Sequence, residues 1–321
     1  MRSGSVAGVP RTRRLPAFVA IGGAVSIGAM TAIQARINGV LGVRLGDGIV
    51  AGLVSFASGL LLLVVLVGVL PSGRAGMARL WRGIRSRTIP VWMLLGGACG
   101  ALTVTTQGLT GAVLGVSLFT VGVVAGQTLH GLVLDRIGFG PAGVVAVTMG
   151  RVAGGALALL AVGISLGGDV LASAPLWMLL LPFAAGVGIA WQQAANGRLA
   201  QRVESPMIAT TTSFIAGTIV LAIGTGASVA VNGPPNPLPD EPWMYLGGLL
   251  GVAYIFLGAR LVAQTGVLLL GLGSVLGQLV TAVIIDALWP AEAGPALWQT
   301  IAMVAVAVMS VLVAVIRPRR R

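Results

Sequence analysis

Long apolar stretches recur from one end of this 321-residue chain to the other, and residues 48–70 pass without a single charged side chain. A bilayer core about 30 Å thick is crossed by about 20 apolar residues in helical form. Lipid offers no partner to an unpaired N–H or C=O group, so each such stretch has to be a helix. The composition agrees: 56% of residues are hydrophobic and 9% are charged. Soluble domains carry about 25% charged residues, so this chain cannot cover a water-facing surface of ordinary size. In that setting the 49 glycines point to close helix contacts rather than to loops.

The pattern predicts an all-α integral membrane protein with ten transmembrane helices. They are expected near 16–35, 48–70, 90–108, 113–134, 148–168, 176–195, 206–231, 243–262, 267–288 and 296–316. The stretch 232–242 carries five prolines and reads as a loop, because clustered prolines cannot continue a helix. The first apolar segment has no short core with a small-residue exit, so it is expected to stay as the first helix rather than be removed as a signal peptide.

The formal charge of +12 comes entirely from arginine. These residues sit at the chain ends and in short loops, with no soluble domain to present a groove to phosphates, so a nucleic-acid partner is excluded. Their distribution instead predicts topology. With the N-terminus inside, the cytoplasmic set receives the basic segment 1–15, Arg74, Arg79, Arg82, Arg85, Arg87, Arg136, Arg198, Arg202, Arg260 and the tail 317–321. The outer set receives only Arg36 and Arg44, while Asp47, Asp169, Asp240, Glu241, Asp286 and Glu292 fall there. That asymmetry predicts a multi-pass protein of the cell (inner) membrane with both termini in the cytoplasm. Membrane lipids are the expected partners of the loop arginines.

The chain has one cysteine, Cys99, and one histidine, His130. Neither an internal disulfide nor a metal cage can be built from them, and no metal or other cofactor is expected. No Ser/His/Asp set or close carboxylate pair appears either, so no catalytic residue is assigned and an enzyme is not expected.

The second half repeats the first. Gln34, Asn38-Gly39, Ser55-Phe56 and Gly59 recur as Gln192, Asn196-Gly197, Ser213-Phe214 and Gly217, all offset by 158 residues. Trp92-Met93, Gly96-Gly97, Gly100, Gly126-Gln127 and Asp135 recur as Trp243-Met244, Gly247-Gly248, Gly251, Gly277-Gln278 and Asp286, offset by 151. Five helices per half is an odd number, so the expected fold is two inverted five-helix repeats, at 16–168 and 176–316. That is an architecture of secondary transporters, with the substrate held between the halves.

Together, the Gln-x3-Asn-Gly end of the first helix, the Ser-Phe-x2-Gly second helix, the Gly-Gly-rich third helix and the Gly-Gln…Asp fourth helix resemble the YdcZ-like branch of the drug/metabolite transporter superfamily. The resemblance runs from about residue 16 to 316. It implies ten helices and transport of a small metabolite or drug-like solute by alternating access. A channel or passive facilitator is the alternative, with a membrane-embedded enzyme further behind.

Polar side chains inside apolar helices are the site candidates, since each needs a partner in the bundle or water. Gln127 and Gln278 occupy matching mid-helix places, either as an interhelical hydrogen bond or as pathway lining. Gln34 and Gln192 lie one turn before the Asn-Gly pairs, which read as helix ends. Arg151 has two readings: snorkelling to the surface, or lying deep as an anion-binding group. The expected substrate site is Gln34, Gln127, Gln192, Gln278 and Arg151.

Overall fold

The computed structural model describes residues 16–165, 176–288 and 297–315. The segments 1–15 and 317–321, with Asp169 and Glu292, lie outside the described residues, as does the side chain of Asp286. The described residues form nine α-helices: α1 Ala17–Leu45, α2 Gly48–Val69, α3 Pro71–Arg85, α4 Gly96–Ile137, α5 Met149–Ser165, α6 Leu176–Arg202, α7 Pro206–Asn232, α8 Leu246–Leu288 and α9 Leu297–Val315. Short 3-10 turns at Val91–Leu94 and Pro242–Tyr245 lead into α4 and α8.

This corrects the expectation of ten transmembrane helices in two inverted five-helix repeats. Among the described residues, four helices are long and apolar enough to cross a membrane: Phe18–Leu45, Gly48–Val69, Pro206–Asn232 and Pro242–Ile285. Hydropathy marks apolar stretches, whereas helices are bounded by where backbone hydrogen bonding stops. The stretches expected at 90–108 and 113–134 run as one helical segment, α4, whereas those expected at 243–262 and 267–288 both lie in α8 but are parted by Gly266, which leaves the helical conformation. The joint within α4 carries Gly and Thr but no proline, so nothing there removes an N–H donor.

Neither long run is straight. In α8, Gly266 leaves the helical region (φ 75°, ψ 171°). Before it, Gly251, Gly258 and Leu261 meet Gln34, Ile27 and Gly23 of α1 in descending order; after it, Gly273 and Gly277 meet Ala24 and then Ala29. The chain therefore folds back at Gly266, one arm antiparallel to α1 and the other parallel. In α4, Gly100 packs on the Gln192 amide and Gly126 on the Phe183 carbonyl. Those partners are about 14 Å apart along α6, but a straight helix would part the two glycines by about 39 Å.

Capping sets several boundaries. The Asp47 carboxylate accepts from the Ile49 and Val50 N–H groups (2.7 and 3.2 Å) to start α2, and Ser205, its equivalent at offset 158, accepts from Ile208 to start α7.

Helix crossings occur in equivalent pairs, one in each copy of the repeat. Gly97 lies on the Ser213 carbonyl and Gly248 on that of Ser55; Gly28 lies on Ser274 and Gly186 on Val123; Gly126 lies on Phe183 and Gly277 on Val25. At each crossing a Cβ would collide with the carbonyl, so glycine alone lets the backbones come this close. Phe56 and Phe214 meet at the centre, and each also covers the other half's glycine, Gly217 and Gly59. Such reciprocity marks a two-fold relation.

Arg79, Arg198 and Arg202 gather at one end. Arg79 of α3 donates to the Val203 carbonyl (2.8 Å), Arg202 to that of Thr88 (2.5 Å), and Arg198 to those of Phe139 and Gly138 (both 2.6 Å). Asp47, Arg44 and the loop at Asn236 and Glu241 lie together elsewhere. Asn236 donates to the Arg44 carbonyl (3.0 Å), Arg44 pairs with Glu241 (3.5 Å), and Ser228 donates to Asp47 (2.5 Å).

Candidate functional site

A cavity of about 40 Å³ lies between α1, α4, α6 and α8. One water needs about 10–15 Å³ on this scale, so there is room for about three waters and none for a drug-sized solute. Three pairs of repeat equivalents line it: Gln127 with Gln278, Thr103 with Tyr254, and Thr31 with Ile189. The cavity therefore straddles the relation between the halves.

It does not straddle it evenly. Gln192, Gln193 and Asn196 line the cavity, while Gln34 and Asn38, the equivalents of Gln192 and Asn196, do not. The hydrogen bonds differ in the same sense. Gln192 Nε2 and Asn196 Nδ2 both donate to Ser213 Oγ (3.1 and 3.2 Å). Gln34 Nε2 instead donates across to the Gly247 carbonyl (2.7 Å), and Gln34 also bonds Tyr254. Both polar atoms of Asn38 and the hydroxyl of Ser55 are buried without a hydrogen-bond partner. One sequence motif thus holds two hydrogen-bonding arrangements in the same molecule.

Of the expected site residues, the structure brings Gln127, Gln192 and Gln278 to one cavity and leaves Gln34 packed beside it. Gln127 and Gln278 are buried, and the Oε1 atoms of both, with that of Gln193, accept no hydrogen bond. Buried polar atoms are normally satisfied, so three bare acceptors around one cavity ask for donors from a bound molecule or from water.

Arg151 lies elsewhere. It is buried, pairs with Asp135 (Nη1–Oδ2 3.0 Å) and donates to the Thr265 carbonyl (3.2 Å). Asp135 also accepts from the N–H groups of Val267 and Leu268 (2.7 and 3.2 Å), so it caps the arm of α8 that begins after Gly266. Arg151 is thus buried within the protein, in the first turn of α5, with its charge already engaged. Asp135 is 1% exposed.

The sequence motifs do not point to Tyr254 or Ser274, both of which line the cavity. Tyr254 could have been found as the equivalent of Thr103 at offset 151. Ser274 gives no such signal, since its equivalent is Val123.

The sequence model of a family described as "Putative inner membrane exporter, YdcZ" matches residues 19–165 and 177–313. The chain belongs to this family, the YdcZ branch of the drug/metabolite transporters. As a YdcZ-family protein it is a multi-pass inner-membrane transporter and not an enzyme. A solved structure titled "Crystal structure of protein" superposes with a TM-score of 0.58 and 17% identity, over 92% of this chain and 96% of that one. At that identity the likeness is one of fold. None of the curated protein sequences matches the chain.

Proposed function

We propose that this YdcZ-family protein moves a small, neutral, polar solute by alternating access between its two halves, with Gln127, Gln192 and Gln278 as the binding amides. The observation that carries the reading is the uneven cavity: three equivalent pairs line it, yet it reaches Gln192 and Asn196 and not Gln34 and Asn38. If the halves exchange arrangements, Gln34 leaves Gly247 for Ser55 Oγ, the bare Asn38 and Ser55 gain partners, and the cavity shifts to the other side. Equivalent sequences make the two states close in energy, which alternating access requires.

Neutrality of the solute rests on the lining. It offers amides, hydroxyls and backbone but no formal charge, and Arg151 is held by Asp135.

Both termini are assigned to the cytoplasm from the arginine asymmetry, and the clustering of Arg79, Arg198 and Arg202 at one end supports that side as the inner one. A periplasm-dependent reporter should be silent when fused at the C-terminus and active in the 232–242 loop; the reverse pattern would overturn the orientation.

The mechanism is tested by single cysteines at Asn38 and Asn196 in a Cys99→Ser background, reconstituted in liposomes. Alternating access expects each to be alkylated from its own side, with solute raising one rate as it lowers the other. Simultaneous reactivity from both sides, with flux only down the gradient, would mark a facilitator instead.

A further inference from the structure

Helix α3 is set apart from the bundle helices by its charge. Its fifteen residues hold four arginines and no acidic residue, and Arg87 lies two residues beyond its end. The helix begins after Leu70, one residue beyond the end of the membrane-crossing α2. It divides into three faces at helical spacing. Gly73, Gly76 and Leu80 are buried, with Gly76 against Ile208 of α7. Arg74, Arg82 and Arg85 are exposed on the opposite side. Between these faces lie Trp81, 66% exposed, and Ile84, 36% exposed. Trp81 stands seven residues after Arg74 and four before Arg85, so the indole shares a stripe with two guanidinium groups.

Arg74 donates to the Gly68 and Val69 carbonyls at the end of α2 (2.7 and 3.4 Å). A soluble surface has no use for an open Trp-Ile flank beside an arginine face without acidic partners. At a bilayer surface each part has a role. The buried face holds the helix to α7, the indole enters the headgroup layer favoured by Trp, and the guanidinium groups reach phosphate oxygens in their preferred forked geometry. We propose that α3 is an interfacial helix that binds anionic phospholipid headgroups through Arg74, Arg82 and Arg85, with Trp81 inserted beside them. The occupant is identified by charge complementarity: among the described residues no acidic side chain pairs with these arginines. Each basic group near an anionic leaflet favours such lipid by a factor of about five.

The full-length protein in lipid nanodiscs tests this. Brominated phosphatidylglycerol or brominated phosphatidylcholine is added at equal mole fraction, and the emission difference between wild type and Trp81→Phe isolates Trp81. The expected result is quenching at least about two-fold stronger with the brominated anionic lipid. The preference should vanish at about 1 M NaCl, where the screening length is about 3 Å. It should also vanish in Arg82→Gln/Arg85→Gln, a pair whose only side-chain hydrogen bond among the described residues is Arg82 to the Ala78 carbonyl of the same helix. Competition by free inorganic phosphate at constant ionic strength, without a change in quenching by brominated phosphatidylcholine, would assign the arginines to a soluble anion. Equal quenching by both lipids, or by neither, would overturn the proposal even if the double variant failed to fold.

Discussion

Phe56 and Phe214 hold the same place in the two copies of the repeat, and their rings meet with centroids 5.0 Å apart. Each is almost fully buried and fills the space over the other half's glycine. Lipid is as apolar as the protein core, so truncation here loses packing rather than transfer energy. Phe56→Ala and Phe214→Ala should each cost about 1–3 kcal/mol. Their equivalence predicts similar losses in thermal unfolding of the purified protein, and a strongly unequal pair would count against the two-fold relation.

Asp135 accepts from Arg151 and from two backbone N–H groups, so it holds α4, α5 and the kink of α8 together. Asp135→Ala strands a buried guanidinium and should cost about 3–5 kcal/mol. Arg151→Met leaves the carboxylate its two backbone donors and should cost less. The double variant Asp135→Ala/Arg151→Met should be more stable than Asp135→Ala, as read by thermal unfolding. Additive losses would show that the pair is not coupled.

A Cβ at Gly97 would overlap the Ser213 carbonyl, whereas one at Gly22 meets nothing within 4 Å. Gly97→Ala should therefore reduce folded yield severely, because two backbones have to part. Gly22→Ala should be neutral or stabilising by up to about 1 kcal/mol, from helix propensity alone. Size-exclusion profiles of the two variants would separate a packing role from a merely compositional one.

Gln127→Leu keeps the side-chain volume while removing a buried amide from the cavity. The lost hydrogen bonds are worth about 1–3 kcal/mol in binding, or about ten-fold in affinity at 1.4 kcal/mol. Transport at low solute concentration should fall about ten-fold in Gln127→Leu and Gln278→Leu, with expression and thermal stability retained. Unchanged transport would make these amides interhelical contacts and move the site elsewhere.

Membrane residence, helical structure, the repeat and the family were all legible in the chain. Apolarity over about 20 residues leaves one backbone solution in lipid, and polar residues recurring at fixed offsets do not need a fold to be seen. The polar cluster was also legible in large part, because Gln127, Gln192 and Gln278 stand out against apolar neighbours. Other features depended on contacts between distant segments. Hydropathy cannot tell a loop from a Gly-Thr joint, so the continuity of α4, the reversal of α8 at Gly266 and the count of membrane-crossing helices came only from the folded backbone. The burial of Arg151 rests on its pairing with Asp135, sixteen residues away on the neighbouring helix. Nor does the repeat reveal its own asymmetry: Gln34 and Gln192 are the same residue in the same motif, and only packing decided that one would bond Gly247 and the other Ser213. Two equivalent sequences in one chain can occupy different minima because each half is part of the other's environment.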